Sequence, residues 1–193
     1  GDQPFFSVFN YGITHEGSGN GFDDKHTRNL EQRHDPANAD VPPYFPDTEE
    51  FRTIWARYYD LITAFDKTVG QHITELEEAG LLENTIVFVF SDHGFGLPRY
   101  KRWLYNTGIQ VPLVVHVPEK YQEKFNIDAG DNDQMVSFAD CAPTVLQLAG
   151  MDKKEYMQGQ SFFADSPEKT YTYGARSRAD DVYDVSRAIV DER

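Results

Sequence analysis

The sequence predicts an α/β fold with a mostly parallel central sheet flanked by helices. Three observations carry that prediction. Residues 85–90 form a continuous apolar run, the pattern of a central strand buried on both faces. Ahead of it, residues 47–80 show apolar positions in steps of three and four, and ahead of those lies a further apolar run at 4–10. A strand, long helix, strand order implies a right-handed crossover and therefore parallel strands.

Taken in order, residues 4–10 read as the first strand, ending at Asn10. Residues 16–48 are polar, rich in Gly, Asp, Asn and Pro, and without periodicity; a structureless loop of that length is usually functional or mobile, here a candidate specificity element. Asp47 and Glu50 make a capping-box-like helix start. Phe51, Ile54, Trp55, Tyr58, Leu61, Ile62, Phe65, Val69, Ile73 and Leu76 then fall on one stripe facing a sheet, and Gly80 closes the helix. Residues 111–117 read as another buried strand, 138–149 as a helix closed by Gly150, and 171–174 and 188–190 as short strands. There is no internal repeat and no low-complexity linker. Both ends read as cut, since Gly1 stands just before a core-like strand without a start methionine and the last residues stop with a strand under way.

Composition limits function. With 39% hydrophobic and 26% charged residues, the chain has enough apolar content to bury a core. Eighteen basic against 32 acidic residues give a net charge of −14, which argues against a nucleic-acid partner, because phosphate binding needs a basic face. An anionic small substrate remains open, as it needs only a local cluster of positive groups. No apolar stretch approaches the roughly 18 residues of a membrane-spanning helix, so no membrane span is expected. The single Cys141 cannot form an internal disulfide and leaves the redox compartment unread.

Ligands of open α/β sheets bind beyond the carboxyl ends of the strands. Directly after the 85–90 strand come Ser91, Asp92, His93 and Gly94, a carboxylate and an imidazole past the sheet edge with a glycine for the turn. They suit metal binding, or equally a capped turn with a solvated histidine. Lys101 lies in the following loop, where a cation can hold an ester anion and stabilise a leaving group. The bland reading is that Arg99, Lys101 and Arg102 are solvated. His15 follows the first strand and on a parallel sheet reaches the same edge, able to contact an anion or protonate a leaving oxygen. His26, His34, His72 and His116 have no usable partner spacing and are assigned to surface or core.

Taken together, "NTIVFVFSDHG" with "KRWLYNTGIQVPL", "SFADCAPTVLQLAG", "PFFSVFN" with the following "TH", and "YGARSRADDVYDVSRAIVDER" resemble the second half of the sulfatase catalytic domain. The resemblance implies an alkaline-phosphatase-like fold truncated at both ends. Residues 1–193 would form part of that domain, with the nucleophile-bearing N-terminal half and the C-terminal subdomain lying outside it. By position it makes Asp92 and His93 metal ligands, Lys101 a sulfate-contacting residue, and His15 a contact to the sulfate or the leaving group. Many sulfatases have Asn where this chain has His93, and an amide oxygen suits calcium better than an imidazole does. Calcium stays the first expectation, with zinc or manganese open.

Cys141-Ala142-Pro143 mimics the start of the family's Cys-x-Pro-x-Arg nucleophile string, but position 145 is Val and the arginine is absent. Cys141 is therefore assigned to core packing. The implied activity is sulfuric ester hydrolysis, on sulfated carbohydrate, by a Cys- or Ser-derived formylglycine. The segment "LPRYKRWLY" leans toward the heparan N-sulfatase-like branch. An exported location (periplasmic, extracellular or lysosomal) follows from the resemblance alone. Two alternatives stand: phosphomonoester or phosphodiester hydrolysis with two zinc ions, which wants further histidines where none follows His116, or a non-catalytic binding domain on the same fold.

Overall fold

The computed structural model describes residues 3–19, 24–125, 127–163, 167–179 and 181–191. Its elements are α1 (Glu16–Gly19), α2 (Glu49–Glu78), β1 (Val87–Phe90), α3 (Asn106–Ile109), β2 (Leu113–His116), α4 (Glu119–Phe125), α5 (Cys141–Leu148), β3 (Thr172–Ala179) and β4 (Val182–Val190). Helix α2 forms where the apolar stripe predicts it, but Thr48 caps it, accepting from Phe51 N–H at 3.5 Å. Asp47 turns aside because Arg52 claims it, donating from Nη2 to Oδ2 at 2.7 Å. Gly80, at φ +66°, ends the helix in the left-handed conformation that costs glycine least.

Helix α2 buries Trp55, Ala56, Leu61 and Ala64, whereas Ile62 stays 41% exposed. Ala39, Trp55, Phe95 and Leu97 form the buried core cluster, with Phe45, Tyr58 and Tyr100 packed on it. The Phe95 ring stacks on Tyr58 with centroids 3.8 Å apart and meets Trp55 edge-on at 5.7 Å. Burial of such aromatics contributes about 2–3 kcal/mol each. The cluster fastens the loop after β1 directly to α2.

The 16–48 segment is less irregular than expected. It holds α1, a 3₁₀ turn at Pro36–Asn38, and Ala39 in the core. Buried Asp60 of α2 ties it down, accepting from the His34 backbone N–H at 2.8 Å and from His34 Nδ1 at 2.9 Å. His34 thus has a structural partner, as does His72, which contacts Tyr11 and Glu75.

The sheet departs from expectation. Residues 4–10 are not a strand; Phe6 is 74% exposed, and Phe9 instead stacks on His72 of α2. Strands β1 and β2 pair antiparallel, with Val87 opposite His116 and Phe90 opposite Leu113. Among the described residues, none of the observed pairings is the predicted parallel one. The link between β1 and β2 contains only the four-residue α3, with no crossover helix to return the chain parallel, so β2 comes back antiparallel. Neither strand is buried on both faces, as Phe90 is 47% and Val114 64% exposed.

The remaining elements follow the prediction more closely. A 3₁₀ turn at Phe138–Asp140 leads into α5, and Gly150 closes it at φ +71°. The short strands at 171–174 and 188–190 are parts of a longer antiparallel hairpin, β3 with β4, irregular between Arg176 and Arg178.

Candidate functional site

Strand β1 delivers Ser91 to Gly94 into a tightly folded loop. Ser91 Oγ donates to the His93 carbonyl at 2.7 Å, and Gly94 N–H donates to the Gly108 carbonyl at 3.1 Å. A Cβ on Gly94 would stand 1.9 Å from the Thr107 carbonyl oxygen, so only glycine admits this approach. His93 Nδ1 lies 2.7 Å from the Gly94 carbonyl, which can only accept; Nδ1 therefore carries a proton, which in a neutral ring leaves the lone pair on Nε2. That Nε2 lies 3.5 Å from Asp92 Oδ1. The Asp92 side chain is 83% exposed and free to turn. A backbone-fixed tautomer with a carboxylate beside the free nitrogen is the donor pair a divalent cation takes. Among the described residues no group of three or more His, Cys, Asp or Glu side chains is assembled.

Across a cavity of about 100 Å³ lie Thr14, His15 and Glu16, with Tyr58 also lining it beside Asp92 and His93. Burial pushes the Tyr58 phenol up, so it stays a neutral donor. His15 Nδ1 accepts from Gly17 N–H at 3.2 Å, which in a neutral ring leaves the proton on Nε2. Nε2 stands 3.3 Å from Lys101 Nζ. An ammonium and an imidazole nitrogen thus meet beside the cavity. Lys101 is not among the residues lining the cavity; it reaches His15 at its rim.

The three basic residues of the loop each have side-chain partners, although Arg99 and Arg102 remain exposed. Arg99 packs over the rings of Tyr44 and Tyr105, 4.8 and 4.4 Å from their centroids. Arg102 donates from Nη1 and Nη2 to the two Glu16 carboxylate oxygens, each at 3.1 Å, and Lys101 Nζ lies 3.5 Å from Glu16 Oε1. The Arg102 hydrogen bonds, with the Lys101 and Arg102 charges, hold the Glu16 carboxyl below its ordinary range despite some opposing burial. Arg176 of β3 donates from Nη1 to the Arg102 carbonyl at 2.9 Å, stacks over Trp103 at 4.2 Å and pairs with Asp184. Sequence reasoning did not assign roles to Glu16, Arg102 or Arg176. The one local signal was the adjacency of Glu16 to His15 and of Arg102 to Lys101. Cys141 opens α5 half-buried, and burial, aided by the neighbouring Asp140 charge, pushes its thiol up, away from a nucleophile's requirement.

Comparison with known proteins gives a consistent family. The Sulfatase family model matches residues 1–151. An ulvan-active sulfatase of Formosa agariphila is 34% identical over 100% of this chain and 37% of its own length. Human N-sulphoglucosamine sulphohydrolase is 33% identical over 65% of this chain and 24% of its own. The chain thus spans well under half of these relatives. Among solved structures, a phosphonate monoester hydrolase from Silicibacter pomeroyi matches with a TM-score of 0.60 at 20% identity, covering 82% of this chain and 39% of its own. A protein solved with its substrate D-glucosamine-2-N,6-O-disulfate matches at 0.56 and 24% identity, covering 74% and 31%. These two structures speak for the fold alone. On the family match and the similarity to a sulfatase along the whole of this chain, the chain belongs to the sulfatase family.

Proposed function

We propose that this chain is part of an exported enzyme that hydrolyses a sulfate ester of a carbohydrate, and that it contributes His15, Lys101, Asp92 and His93 to the site. The observation that carries the reading is the pair of facing donors, His15 Nε2 and Lys101 Nζ, 3.3 Å apart at the rim of the cavity that Asp92 and His93 line. Lys101 binds a sulfate oxygen and offsets the negative charge that grows as the ester bond breaks. His15, with its Nε2 proton facing the same oxygens, donates a hydrogen bond that stabilises the departing alkoxide.

Asp92 and His93 would hold a divalent cation, calcium first, with zinc or manganese accommodated by the imidazole. Such an ion, when bound, polarises sulfate oxygens as a Lewis acid. The nucleophile, a formylglycine derived from Cys or Ser, is supplied from outside this chain, since Cys141 lacks both the motif and the acidity. Sulfated carbohydrate is favoured because the relatives include enzymes named for ulvan, N-sulphoglucosamine and N-acetylglucosamine sulfates.

The test is sulfate release from 4-nitrophenyl sulfate and from sulfated glucosamine by the full-length enzyme. Lys101→Ala is expected to lower kcat/KM by about 100-fold or more, in the range for loss of one charge-stabilising group. A loss smaller than threefold would remove Lys101 from the mechanism.

A further inference from the structure

Lys101 is flanked by two non-glycine residues in the left-handed region, Arg99 at φ 74° and Arg102 at φ 74°. Such conformations persist only where surroundings over-determine them, and they gather at sites that need a fixed geometry. What holds Arg102 is visible. Its guanidinium is gripped by both oxygens of Glu16, a planar two-point contact of the kind that fixes direction as well as distance. Its carbonyl is held from the other side by Arg176.

Glu16 is itself fixed. A Cβ on Gly96 would lie 2.1 Å from Glu16 Cβ and 2.9 Å from its Cα, so the His15–Glu16 turn rests against bare backbone. The Glu16–Arg102 pair therefore joins the segment carrying His15 to the loop carrying Lys101, across 86 residues of sequence. We propose that Glu16 and Arg102 are positioning residues whose ion pair sets the His15–Lys101 spacing and so makes the two donors converge on one sulfate oxygen. The proposal rests on the reading that His15 and Lys101 bind the sulfate.

Charge alone predicts something different, and the difference is measurable. Glu16→Gln removes a negative charge beside Lys101 and by Coulomb's law strengthens anion binding; removing Arg102 does the reverse. Positioning predicts that both changes weaken it. The experiment is titration of the full-length enzyme with sodium sulfate, followed by calorimetry, for the wild type, Glu16→Gln and Arg102→Gly. Glutamine keeps the shape of Glu16. Glycine suits φ 74° and lets the loop fold without the pair. Near-UV circular dichroism confirms that each variant is folded.

Both variants are expected to bind sulfate at least tenfold more weakly. Affinities that move in opposite directions, a Glu16→Gln affinity within threefold of wild type, or a wild type that binds no sulfate would overturn the positioning role. Turnover of 4-nitrophenyl sulfate is measured on the same samples. Absent turnover with sulfate binding that falls in both variants would overturn the hydrolase reading and leave the positioning role standing.

Discussion

Arg176→Met probes how firmly the β3–β4 hairpin holds the basic loop. Arg176 is 8% exposed, and methionine roughly fills its volume without its charge. Three contacts are lost. A charge-assisted hydrogen bond to the Arg102 carbonyl contributes about 2 kcal/mol, and the stacking on Trp103 about 1 kcal/mol. The ion pair with Asp184, whose side chain is 41% exposed, is solvent-screened and contributes about 0.5 kcal/mol. Against these stands Nε, which is buried with no hydrogen-bond partner and costs about 1 kcal/mol in the wild type. The variant should be destabilised by about 2.5 kcal/mol. For a unit of this size that corresponds to about 5–10 °C in Tm. Arg176→Lys should lose about half as much, because an ammonium cannot stack flat and reach two acceptors together. Urea unfolding of wild type and both variants measures the differences. A Met variant within 0.5 kcal/mol of wild type would refute the reasoning, and the hairpin would then be a passive neighbour of the loop.

Asp140→Asn should cost about 3 kcal/mol, since buried Asp140 accepts from Ser137 N–H at 2.8 Å and Gln160 N–H at 2.9 Å and pairs with Lys169. Burial alone would raise the Asp140 carboxyl, but the Lys169 ammonium and these N–H donors prevail and hold it below its ordinary 3.8. A depressed carboxylate stabilises the fold above its unfolded pKa and loses that contribution as pH falls through the folded value. The gap between wild type and variant in urea midpoint should therefore be full at pH 7 and shrink below about pH 4. Cys141, its thiol pushed up by burial, should react with iodoacetamide at pH 7 more slowly than free cysteine, and Cys141→Ala should keep turnover within twofold of wild type. Rapid alkylation coupled to loss of activity would contradict that assignment.

How legible the molecule is depends on the range of the interactions that shape each part. Helix α2 can be read because a 3.6-residue period over thirty residues is a local signal, and Gly80 marks its end. The exact cap could not, since Asp47, Thr48 and Glu49 all suit a helix start and Arg52 decides among them. The strand at 87–90 is legible from its apolar run, but such a run carries no record of direction, so its antiparallel partner came as a correction. Residues 4–10 have strand composition whether or not a neighbour pairs with them. Asp92 and His93 stand out because they end a strand. Glu16 with Arg102 does not, because two ordinary charged residues 86 positions apart leave no local pattern.

The run His93-Gly94-Phe95-Gly96-Leu97 ties the two levels together. Phe95 and Leu97 sit in the core with Trp55, whereas Gly94 and Gly96, alternating with them, face backbone at Thr107 and Glu16. One short segment thus anchors the loop after β1 in the aromatic cluster and leaves room for the turns that bring in the other groups. A side chain at either glycine displaces backbone, and backbone moves less cheaply than a side-chain tip. Phe95→Ala, by contrast, leaves a cavity under an intact turn. The glycines therefore govern where His15 and Lys101 stand, and the aromatics govern how firmly the loop between them is held. A site built this way tolerates loss of stability in its foundation better than a shift of a few tenths of an ångström at its rim.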